Sequence, residues 1–99
     1  MDGPRPESPK IKERPLEAQP REKLMHEGAR HLSETELLAI LLRTGTAKRD
    51  VLELAQAVLD EAGGLEGLLC QDMKDLCAIN GIGQTKACTL RATIEIGRR

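Results

Sequence analysis

The chain contains no phenylalanine, tyrosine or tryptophan. Any core must therefore be assembled from Leu, Ile, Val, Ala and Met. Side chains of that kind suit helix packed on helix. Nothing in the chain argues for strands: no stretch alternates with period two, and the β-branched residues are scattered. The absence also removes base stacking on aromatic rings as a recognition device. With 99 residues, one small domain is expected, burying a modest fraction of its surface.

All five prolines fall within the first 20 residues. That polar segment has almost no apolar periodicity, so 1–20 is expected to be a disordered or extended arm, with only Ile11 and Leu16 able to dock. A helical pattern begins at Arg21 and is stopped by Gly28. Ser33-Glu34-Thr35-Glu36 reads as a capping box. The run Leu37–Leu42 behind it is apolar almost all round, which predicts a central, buried helix. The stretch 43–50, RTGTAKRD, breaks it. Val51, Leu54, Ala55, Val58, Leu59 and Ala62 then define one face of a helix closed by Gly63-Gly64. Leu65–Leu69 predicts a short connecting helix. Asp72 can cap a helix over 73–79, and a last helix is expected over 84–96, with Ala87, Leu90 and Ile94 inward. Helix, glycine-centred break and helix thus occur twice, at 34–62 and 72–96.

The second break, within CAINGIGQTKACTL (77–90), carries the chemistry. A dinucleotide fingerprint needs a third glycine where Lys86 stands and a preceding strand; a P-loop needs G-x-x-x-x-G-K-[ST], which is absent. The Asn-Gly pair lacks the alternating flanks of a β-hairpin. The remaining reading is a turn between helices, with Ile82 plugged into the core. The first amides of the following helix lack intrahelical acceptors and carry the positive end of its dipole. Such a terminus binds anions. Gly81, Ile82, Gly83, Thr85 and Lys86 are the candidate phosphate-binding residues.

The segment DLCAINGIGQTKACTL resembles the helix-hairpin-helix motif of DNA-binding proteins, through Leu76, Ile79, Gly81, Ile82, Gly83, Ala87 and Leu90. Asn80 stands where that motif often has proline; asparagine tolerates turn conformations. More widely, PREKL, LSETELLAILLRTGT and GIG, in this order, make residues 11–99 similar to the N-terminal region of the bacterial RadC family. The resemblance implies an all-α fold: a compact bundle of short helices forming a tandem helix-hairpin-helix (SAM-domain-like) domain over 21–99. Its first hairpin, about 43–50, would be degenerate and the second would lie at 80–84. Thr44, Gly45, Thr46, Lys48 and Arg49 then become secondary DNA-contact candidates, with loop solvation, or pairing of Arg49 with Asp50 or Glu53, as the plainer reading. In that family a metal-binding domain of the JAB/MPN type follows. The present chain is expected to be the isolated first domain, without catalysis of its own.

Charge gives the DNA reading little help. The net charge is −1. Residues 33–70 sum to −4, and a positive excess of +3 appears only over 81–99. Of the basic residues there, Arg91, Arg98 and Arg99 read as solvated surface, whereas Lys86 sits at the turn. Cys70, Cys77 and Cys88, odd in number and without C-x-x-C spacing, read as small core residues of a reducing compartment. His26 and His31 have no metal-ligand pattern; no metal or cofactor is expected. There is no signal peptide and no long apolar run, so a cytoplasmic monomer, with no membrane contact, is expected. Two functions follow. One is sequence-independent, weak binding of DNA through its phosphate backbone. The other is a protein–protein interaction module that has lost DNA binding. A metal-dependent hydrolase activity would belong to the second domain.

Overall fold

Pro20 occupies the first turn of the first helix, where its missing N–H costs nothing. In the computed structural model, which describes residues 18–99, α1 spans Gln19–Glu27 and so starts two residues before the expected Arg21. Buried Pro20 already belongs to the folded part. The remainder of the expected arm, with Ile11 and Leu16, lies outside the described residues. Gly28, at φ 90°, ends α1 and leads into a single 3₁₀ turn, Ala29–His31.

Ser33 and Glu36 then close the expected capping box. The Glu36 amide donates to Ser33 Oγ at 3.1 Å, and the Ser33 amide donates to Glu36 Oε1 at 2.8 Å. This starts α2, Glu34–Leu42. Lys23 of α1 reaches the same carboxylate at 3.1 Å, so one acid both caps α2 and ties α1 to it. The Ser33 amide first, then the Lys23 ammonium, hold the Glu36 carboxyl below its usual range, against an opposing effect of burial. A lowered folded-state pKa contributes stability that is complete above the unfolded value of 4.5 and lost as pH falls through the folded one. Glu36→Gln should therefore cost no more than about 1 kcal/mol near neutrality, because glutamine can keep the capping bond and only the near-surface ion pair with Lys23 is lost. It should also flatten the loss of stability below pH 4.5, read by urea unfolding across that range.

Three more helices follow the expected breaks: α3 Val51–Ala62, α4 Gly64–Leu69 and α5 Met73–Cys77. Gly63, in the left-handed region, closes α3. At Gly67 a methyl group would run into the carbonyl oxygen of Ala62, so α4 folds back onto the end of α3 only because this residue has no side chain. Helix α5 stops at Cys77, short of the expected Ile79. The final helix, α6, spans Gln84–Arg98.

The described residues form no strand. Helix α2 packs on α3 and α6, α3 on α4, and α5 on α6. Val51, Leu54, Ala55, Val58 and Leu59 are buried, as the spacing requires, and so are Ala87, Leu90 and Ile94. Within 37–42 the all-round burial is not met. Leu38, Ala39 and Leu42 are buried, whereas Leu37 is exposed and Ile40 and Leu41 are half-buried. The three cysteines are exposed and do not belong to the core. Cys77 and Cys88 each directly follow a buried residue, Leu76 and Ala87, and the 100° step of a helix carries them off the inward face.

Candidate functional site

Between α5 and α6 the chain turns within six residues, 78–83. The Ile82 amide donates to the Ile79 carbonyl at 3.0 Å, and both side chains are buried, so the turn is nailed to the core as expected. The two flanking glycines differ. Gly81 has φ 96°, and a Cβ there would lie 2.7 Å from Leu54 Cδ1 and 3.3 Å from Thr46 Cγ2. The fold requires it. Gly83 has φ −91° and ψ −173°, extended backbone open to any residue, and a Cβ there would meet nothing. The backbone of the turn does not require glycine at this second position. As the N-cap of α6 it supplies no side chain, and nothing else caps that helix. The amides of Gln84, Thr85 and Lys86 occupy the first turn, where no intrahelical acceptor exists.

The loop between α2 and α3 is built on the opposite plan. It opens with a γ-turn: Thr44 donates to the Leu42 carbonyl at 2.8 Å around Arg43, at φ 72° and ψ −51°. This hand of the turn is rare and strained. Thr46 then organises the rest. Its hydroxyl accepts from the amides of Lys48 and Arg49, each at 3.2 Å, and its own amide donates to the Arg49 carbonyl at 2.8 Å. Gly45 lies so close to that carbonyl that a methyl group would collide with it. Asp50 caps α3 at the Glu53 amide at 2.8 Å, and Glu53 returns to the Asp50 amide at 3.0 Å. This second capping box was legible as D-x-x-E but absent from the expectations. The first loop thus spends the amides of Thr44, Thr46, Lys48, Arg49 and Asp50 on short-range bonds and places two carboxylates at the start of α3.

The tertiary fold brings the two loops together. Gly45 and Thr46 share a shallow depression with Gly81, Gly83, Gln84, Thr85 and Lys86. Lys86 Nζ lies 3.3 Å from Thr44 Oγ1, 42 residues earlier in the chain. Apart from Ile82, whose side chain is in the core, the primary candidates and Gly45 and Thr46 therefore converge on one surface, with Gln84 added. Lys48 and Arg49 line an adjoining hollow with Thr44. Among the described ion pairs none involves Arg43, Lys48, Arg49 or Lys86, so Arg49 pairs with neither Asp50 nor Glu53.

The other basic residues of α6, Arg91, Arg98 and Arg99, have structural employment. Arg91 donates to the Gln71 carbonyl at 2.9 Å, linking α6 to the segment before α5. Arg98 and Arg99 pair with Glu95 one helical turn back. Asp72 accepts from the Asp75 amide, which holds its carboxyl below the usual range and makes it the cap of α5. Among the described residues no three His, Cys, Asp or Glu side chains are grouped as a metal would need, and no helix is long and apolar enough to cross a membrane.

Comparison with known proteins supplies the family. The family model for the UPF0758 N-terminal domain matches residues 11–88. A UPF0758 protein of Chloroflexus aurantiacus is 52% identical over 90 residues, covering 91% of this chain and 39% of that protein. One from Methylibium petroleiphilum is 48% identical over 89 residues, covering 90% and 40%. One from Shewanella halifaxensis is 43% identical with the same coverage. The chain thus spans about 40% of the length of the relatives it matches. No solved structure matches it. These matches bear out the RadC resemblance read from the sequence, and on them the chain belongs to the UPF0758 family, carrying its N-terminal domain.

Proposed function

We propose that this domain is a sequence-independent DNA-binding module of the helix-hairpin-helix kind, holding one strand by its phosphates. The observation that carries the reading is Gly83. The turn gives no reason for a glycine there, and its bareness leaves the first amides of α6 open beside the Lys86 ammonium. A phosphate needs that combination: donors, dipole, charge and room for close approach. The first loop adds cations, not amides. Thr46 holds the amides of Lys48 and Arg49, and Asp50 occupies the α3 terminus. One hairpin therefore does most of the binding, and affinity is weak, in the range of about 10⁻⁴–10⁻⁶ M typical of non-specific binders at physiological salt.

Lys86→Ala tests the assignment. Titration of a labelled short duplex at several salt concentrations should show weaker binding and a salt slope lower by about 1. A slope identical to the parent's removes Lys86 from the site. The strained γ-turn allows a second test, because Arg43→Gly relieves a backbone conformation that costs roughly 1–3 kcal/mol. The variant should melt at a higher temperature yet bind the duplex more weakly, since a cation beside Lys86 is lost. A tighter complex would show that Arg43 does not face the DNA.

A second reading, a protein-interaction module without DNA binding, is favoured by the −4 charge of residues 33–70 and by the acids at the α3 terminus. Amide shifts on adding duplex separate the two. Shifts centred on 81–86 support the first, and none at low salt support the second.

A further inference from the structure

Away from the two loops, α2, α4 and α6 enclose an apolar groove floored by Leu38, Leu68 and Leu90. Leu37, Leu65 and Leu69 stand on it with 39%, 39% and 49% of their surface exposed. Three large aliphatic side chains around one concavity are more than scattered surface leucines, and such a patch marks a surface that something covers.

The groove's position says what covers it. Gly97 and Arg98, the last turn of α6, form part of its wall, so any chain continuing past Arg99 leaves from the groove's own edge. The UPF0758 relatives do continue. The match is to the N-terminal domain of the family, and it accounts for only 39–40% of their length. We infer that the groove is the docking site for the C-terminal part of the full-length protein, which presents an aliphatic segment to Leu37, Leu65 and Leu69. A segment tethered this closely binds at high effective concentration, so a small interface suffices. The inference rests on family membership and the groove, not on the DNA-binding reading.

The test extends this chain at Arg99 with the portion of the Chloroflexus aurantiacus protein that follows its matched region. Leu69→Cys is introduced with Cys70→Ser, Cys77→Ser and Cys88→Ser, and maleimide labelling is followed in the free and the extended chain. Labelling should slow by about tenfold or more on extension, while Ala92→Cys, exposed on α6 outside the groove, should label equally in both. Amide exchange on the unsubstituted chains gives a second readout, with extra protection expected at 65–69 only in the extended protein. Equal labelling and exchange in both overturn the inference. So does protection of the free chain that grows with its concentration, which would make a second copy the occupant.

Discussion

Gly81→Ala should destabilise the domain by about 2–4 kcal/mol, the sum of left-handed backbone strain and overpacking. The strain follows from φ 96°, and the overpacking from Leu54 Cδ1 lying 2.7 Å from the new methyl group. Leu54 is fully buried, so any shift of its Cδ1 must be made within the packed core. Gly83→Ala, two residues on, should cost less than about 1 kcal/mol, the difference between glycine and alanine at an N-cap. Thermal melts of the two variants read this contrast directly. The effect on DNA should run the other way for Gly83→Ala: a nearly native melt with clearly weaker duplex binding, because the methyl group obstructs a phosphate at the first amides of α6. If Gly83→Ala binds like the parent, the open terminus is not the phosphate site.

Leu54→Ala should be the more damaging core variant, costing roughly 3–5 kcal/mol. The side chain is wholly buried within the cluster formed by α2, α3, α5 and α6. It also forms the floor on which Gly81 rests, so the cavity opens between α3 and the turn before α6. Small domains are stable by only about 5–15 kcal/mol, and this variant consumes a large share of that margin. Urea unfolding should show a lower midpoint with an unchanged slope. Loss of the cooperative transition would mean that α3 and the α5–α6 pair no longer fold as one unit. A cost below about 1 kcal/mol would mean that these elements collapse around the gap.

The aliphatic face of α3 and the inward face of α6 were legible because a helix repeats every 3.6 residues, and one apolar stripe has one possible destination. The capping box at Ser33–Glu36 was legible because its partners lie three residues apart. Gly63 and Gly28 were legible as stops for the same local reason. The exposure of Leu37, the γ-turn at Arg43 and the collision points at Gly45, Gly67 and Gly81 were not. Each depends on a neighbour that local patterning does not name. The exposed cysteines show the limit from the other side: residue type suggested burial, and helical phase decided against it.

The candidate site divides in the same way. Local sequence determined the second turn: two glycines around a plugged isoleucine, a bare helix start and a lysine one turn in. Tertiary structure alone decided that Thr44 would meet Lys86, 42 residues away, and that Thr46 would abut Gly81. The closing of the first loop on its own amides and the open start of α6 are local, set by Thr46, Asp50 and Gly83. The physical reason is range. Helix phase, caps and turns are set by interactions within about four residues. The meeting of two loops is set by how α2, α3 and α6 bury their leucines against one another.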